Sequence, residues 1–138
     1  MKSKLEQVLD IIQHEPNYET FEYKGYKIVI KRMMYLGGQL NGYVRIPKGH
    51  QFYGKGYDDI PIECHGGLTF AGDIENDGDF YIGFDTAHYR DYMPFMIMLD
   101  RKGTLSNIDE GTYKDITYVR NECKSIVDQL NSSLTRKI

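Results

Sequence analysis

The sequence predicts a single α+β domain, a mainly antiparallel sheet packed against a long C-terminal helix, with a short helix at the N-terminus. Three observations carry that reading. Tyr113, Ile116, Val119, Cys123, Ile126, Leu130 and Leu134 recur every three or four residues, one apolar stripe over roughly six helical turns. Residues 21–36 are rich in aromatic and β-branched side chains and are broken by Lys24-Gly25, a tight-turn pair. Two apolar runs, 68–71 and 80–84, flank an acidic, glycine-containing loop in the manner of a hairpin. A helix with one apolar stripe needs one apolar partner surface, and the strands supply it.

Taken in order, Ser3-Lys4-Leu5-Glu6 matches a capping box, in which the serine oxygen and the glutamate carboxylate each satisfy an amide of the first turn. Leu5, Val8, Leu9 and Ile12 then share one face, and Pro16 closes the segment, so a helix is expected over about 4–13. In the following hairpin Ile28 and Ile30 face one side, and Lys27, Val29 and Lys31 the other. Gly37-Gly38 and Asn41-Gly42 punctuate the chain before a short third strand at 43–46. Residues 47–60 contain four breakers and no sustained period, which predicts an ordered surface loop, and loops of that length are usually functional. An extended run is expected at 62–64, a central hairpin at 68–72 and 80–85, and a buried strand at 93–99 with Pro94 at its start. Lys102-Gly103-Thr104 turns the chain, and Thr112 with Asp115 signals the start of the last helix.

At 138 residues the chain suffices for one core without a metal or disulfide staple. Its 12 tyrosines and 6 phenylalanines, with no tryptophan, suit half-buried sheet faces and ligand surfaces. A net charge of −3 argues against a general nucleic-acid binder, which would carry a basic excess, and leaves room for a local basic patch. Cys64 and Cys123 are far apart and in no C-x-x-C pair, so both are expected to be reduced and packed rather than bridged or zinc-bound. The amphipathic, acid-containing N-terminus is unlike a signal peptide, and no apolar run reaches the roughly 18 residues of a membrane span. A cytoplasmic protein without membrane partners is expected.

Most motif matches fail on their context. Residues 49–55 satisfy G-x-x-x-x-G-K, but Gly56 replaces the hydroxyl residue of a P-loop and the following YDDIP cannot open the required helix. Residues 73–79 begin like a calcium-binding EF-hand loop, yet Phe84 stands where the bidentate carboxylate belongs. Asn76-Asp77-Gly78 therefore reads as a hairpin turn. His65-Gly66-Gly67 has the glycine pair of an oxyanion hole without a G-x-S-x-G nucleophile, and no H-E-x-x-H or deaminase zinc pattern occurs.

A looser constellation remains, His50, Asp58, Asp59, His65, Asp85, His88 and Asp91. Hairpin geometry would bring His65, Asp85 and His88 to one edge. Such a group suits a divalent metal or a polar ligand, and equally Asp85 caps a turn while the histidines pack. Arg45, Lys48, Lys55 and Arg90 lie near Tyr43, Phe52, Tyr53, Tyr57 and Tyr81, a mixture able to stack a base and clamp a phosphate or simply to cover a sheet. The candidate ligand residues are Arg45, Lys48, His50, Tyr53, Lys55, Asp59, His65, Gly66, Gly67, Asp85 and His88, with no cofactor required. The alternative is a metal site of His50, His65, Asp85 and His88.

The strings NGYVRIPKGHQFYGKGYDDIPIECHGGLTFAG and YIGFDTAHYRDY resemble a family of small proteins from phages and prophages of Gram-positive bacteria. The resemblance spans roughly residues 38–92 plus TYKDITYVRNEC. It implies context rather than chemistry, since small phage accessory proteins act on the host, by binding a defence protein or by sequestering a nucleotide signal. The expectation is thus a non-catalytic, phage-type binding protein of the host bacterial cytoplasm that captures a phosphate-bearing nucleotide. The alternatives are a metal-dependent hydrolase or an inhibitor of a host defence protein, and self-association into a homo-oligomer stays open.

Overall fold

A computed structural model of the protein describes residues 1–100 and 111–135. Helix α1 spans Lys4–Gln13 and opens on the expected box, with the Glu6 amide donating to Ser3 Oγ at 3.1 Å and the Ser3 amide to Glu6 Oε1 at 3.3 Å. Strands β1 (Tyr18–Tyr23), β2 (Tyr26–Arg32), β3 (Leu40–Ile46), β4 (Phe70–Gly72) and β5 (Phe80–Phe84) form one antiparallel sheet in the order β1-β2-β3-β5-β4. The β4–β5 hairpin expected at the centre therefore lies at one edge, and β3 is the middle strand. Residues 62–64 are irregular rather than a strand. There the Gln129 side chain takes the place of a partner strand, accepting from the Glu63 amide at 2.8 Å and donating to its carbonyl at 2.7 Å.

Helix α3, Ile116–Thr135, covers one face of the sheet. Ile116, Val119, Cys123, Ile126, Val127 and Leu130 meet Ile28, Ile30, Leu40, Val44, Ile82 and Phe84 in the main core. Each fully buried Ile, Leu or Phe side chain there contributes about 1.5–3 kcal/mol of hydrophobic stabilisation. Gly42 permits the close approach of helix and sheet, because a Cβ at that position would stand 2.6 Å from Cys123 Sγ and 2.8 Å from the Phe84 ring. Phe52, Ile60 and Ile62 join the same core, so the long loop is nailed down at two points and the chain again just beyond its end.

The opposite face carries a second, smaller cluster. Val29, Tyr43 and Tyr81 are buried beneath Phe70 and Ile74. Residues 73–79 fold back across this face, held by Lys31 donating to the Ile74 carbonyl at 3.0 Å and by Tyr81 Oη donating to Asp77 at 2.9 Å. Asp73 accepts from the amides of Glu75, Asp77 and Gly78, which fixes the acidic stretch as a turn whose first carboxylate is occupied by its own backbone.

Two further expectations need correction. Residues 94–99 form a short helix, α2 (Pro94–Leu99), not a buried strand, and Met98 and Leu99 are exposed. Proline is pre-shaped for the first helical position and needs no donor there, and the run contains good helix formers with Ile97 its one β-branched residue. Tyr113 precedes α3 rather than belonging to it, and the cap is Asp115, whose Oδ1 accepts from the Tyr118 amide at 2.9 Å. The turn expected at 102–104 and the side chain of Leu134 lie outside the described residues.

A buried ion pair ties the elements together. Arg32 donates to Glu15 Oε1 at 2.9 Å with both side chains almost wholly enclosed, and also to Asn17, the Gly38 carbonyl and Tyr113 Oη. Glu15 Oε2 accepts from the first amide of α3, Ile116, at 2.7 Å. No helix among the described residues is long and apolar enough to cross a membrane.

Candidate functional site

The sheet separates the candidate residues into two groups. Strand β5 runs from Phe80, beside Ile46, to Phe84, beside Gly42. At about 3.3 Å per residue its ends stand roughly 13 Å apart. Arg45, Lys48, His50, Tyr53 and Lys55 belong to the Phe80 end, with Asp59 on the turn that follows them, whereas His65, Gly66, Gly67, Asp85 and His88 gather at the Phe84 end.

At the Phe80 end, Arg45 reaches Asp79 at 3.4 Å and the Tyr53 ring lies 5.4 Å from Phe80. His50 is buried as a strut of its own loop, its Nδ1 accepting from the Phe52 amide at 3.1 Å and its ring 5.3 Å from that of Phe52. Lys48, Tyr53, Lys55, Tyr57 and Asp59 face solvent, the last two in a 3-10 turn, Tyr57–Asp59. Neither Lys48 nor Lys55 has a carboxylate partner among the described residues.

The Phe84 end is built from the segment before β4, the segment after β5 and the first turns of α3. His65 stands at its middle. Its Nε2 lies 2.9 and 2.8 Å from the two carboxylate oxygens of Asp91, its Nδ1 lies 2.7 Å from Tyr118 Oη, and its amide donates to Glu122 at 2.7 Å. Asp91, 2% exposed at its side chain, also accepts from the His88 amide at 3.0 Å and pairs with Lys114 at 3.1 Å. His88 Nε2 meets Asp85 Oδ1 at 3.1 Å, and Asp85 accepts in addition from Thr69 Oγ1 at 2.9 Å and the Ala87 amide at 3.0 Å. The aspartate thus caps its turn, and His88 Nε2 lies within ion-pair distance of it without making a hydrogen bond.

Gly66 is required in this packing. Its φ is +69°, and a Cβ there would stand 2.2 Å from the His88 ring. Burial opposes ionisation of Asp91, but the His65 ring, the His88 amide and Lys114 outweigh it and hold the carboxyl below its ordinary range. Burial, then the Glu122 and Asp91 charges, pushes the Tyr118 phenol up. Burial drives the neighbouring Cys64 thiol up to about 12, so beside this histidine it is a neutral packed thiol and not a nucleophile.

With Asp91 ionised, the arrangement that satisfies all three groups has Tyr118 donating to His65 Nδ1 and His65 Nε2–H donating to Asp91. Both imidazole nitrogens and both Asp91 oxygens are then engaged within the cluster. Chemically this is a latch between two loops and a helix. The four-residue metal set is not assembled, because His50 sits at the other end of the sheet, and no group of three or more His, Cys, Asp or Glu among the described residues is arranged to hold a metal ion.

Sequence reasoning weighed Asp91 but left it out of the site, and it missed Lys114, Tyr118 and Glu122. A signal for Asp91 was present, since Asp85, His88 and Asp91 are spaced by three. None existed for Tyr118, which lies 53 residues from His65 on the flank of an apolar stripe. No protein-family model, curated protein or solved structure matches the chain.

Proposed function

We propose that the protein is a non-catalytic binding protein that captures a small phosphate-bearing ligand, of the nucleotide-signal class, on loop 47–60. The observation that supports this reading is the contrast between the two ends of the sheet. Both ring nitrogens of His65 and both carboxylate oxygens of Asp91 are engaged within their cluster, whereas Lys48 and Lys55 stand exposed and, among the described residues, without a carboxylate partner on the same loop as exposed Tyr53 and Tyr57. Two ammonium groups suit a phosphate, and the tyrosine rings offer faces on which a base stacks. Phe52 and Ile60 anchor the loop in the core, which lowers the entropy lost when a ligand binds.

The phage-type resemblance extends the reading to an anti-defence role, in which binding alone removes the signal. A calorimetric screen against cyclic and linear nucleotides tests it. Binding by the wild type is expected, weakening as salt rises because exposed cations carry the affinity. A screen silent for every nucleotide would contradict it.

A further inference from the structure

Loop 33–39 and α2 together form an apolar surface that the ligand reading does not use. Met34, Tyr35, Leu36, Phe95, Met98 and Leu99 line a groove of about 350 Å³. Tyr35 is fully exposed, Leu99 75% and Leu36 64%. The backbone beneath them is fixed. The Phe95 amide donates to the Gly37 carbonyl at 2.9 Å and the Gly38 amide to the Met33 carbonyl at 3.0 Å. A Cβ on Gly38 would strike the Phe95 ring at 2.7 Å, so loop and helix are in direct contact. These side chains are therefore held outward by a braced frame.

We infer that this surface is the interface of a symmetric dimer of this chain. The five outermost residues expose on the order of 700 Å² in all, backbone and the Tyr35 hydroxyl included, near the ~800 Å² that each partner gives to a standard interface. The groove lining carries no charged side chain among the described residues. In a two-fold interface a residue near the axis meets its own copy, so a charge there would be repelled, and an uncharged lining is compatible with self-pairing. Homodimer interfaces are also the more apolar class, while transient partners of other kinds bring more polar contacts. Met34 and Met98 add adaptable side chains that fill the gaps between two copies.

Sedimentation equilibrium of the full chain over a wide concentration range tests the inference. The wild type is expected to reach the mass of two chains. Leu36→Glu and Leu99→Glu, each placing like charges across the two-fold, are expected to return it to the mass of one chain while thermal unfolding of the monomer stays unchanged. Two substitutions on different elements keep the test decisive if one of them fails to fold. A wild type with the mass of one chain throughout, a mass well above two chains, or a dimer that survives both substitutions would overturn the inference.

Discussion

Asp91 is the residue on which the Phe84 end of the molecule depends. It accepts from a histidine ring, a backbone amide and a lysine while almost fully enclosed, so its removal leaves several donors buried without an acceptor. Asp91→Ala is expected to cost about 2–4 kcal/mol in urea unfolding. The pH dependence has a fixed sign. A carboxyl held below its ordinary pKa stabilises the fold fully above the unfolded value, about 4, and that contribution is lost as pH falls through the folded value. Unfolding curves across the acid range should therefore show a steeper loss for the wild type than for Asp91→Asn. Gly66→Ala should cost about 2 kcal/mol or more in the same measurement, from crowding against His88 and from a left-handed φ. Of this cluster the sequence revealed His65, Asp85 and His88, because a histidine or aspartate at a strand end is visible as a type and a position. Lys114, Tyr118 and Glu122 were hidden, since their meeting with His65 and Asp91 depends on how α3 lies across the sheet, which no local pattern encodes.

At the scale of elements, legibility followed the strength of local signals. Helix α1 and the β1–β2 turn came out as read, because a capping box and a Lys-Gly turn act within a few residues. Helix α2 did not, since a short apolar run of six or seven residues reads alike as strand or buried helix, and here the proline at its start decided. The edge position of the β4–β5 hairpin was equally invisible, because strand order depends on long-range pairing. What binds the elements is the Arg32–Glu15 clasp, whose members come from β2 and from the segment after α1, with Tyr113 reaching across 98 residues of chain. Glu15→Ala leaves a buried guanidinium uncompensated and is expected to destabilise by about 3–5 kcal/mol, measured by chemical unfolding. Gly42→Ala should cost about 1–3 kcal/mol, since the added methyl group separates α3 from β3.

Across the whole molecule, the sheet turns one sequence-level site into two structural ends with different chemistry. The candidate residues at 45–55 and those at 65–67 and 85–88 are near one another along the chain, which is why they read as one site, but the run of β5 separates the two groups toward its opposite ends. One end turns His65, Asp91, Lys114 and Tyr118 on one another and closes the fold, and the other leaves cations and aromatic rings facing solvent. Calorimetry comparing three proteins against the nucleotide bound by the wild type tests this division most directly. Tyr118→Phe, which alters only the latch, should bind as the wild type does. The Lys48→Ala/Lys55→Ala double variant should bind about 100-fold more weakly, since charge-assisted contacts are worth about 1.5–3 kcal/mol each and 1.4 kcal/mol is a factor of ten. Undiminished binding by the double variant, with binding lost in Tyr118→Phe, would contradict the account.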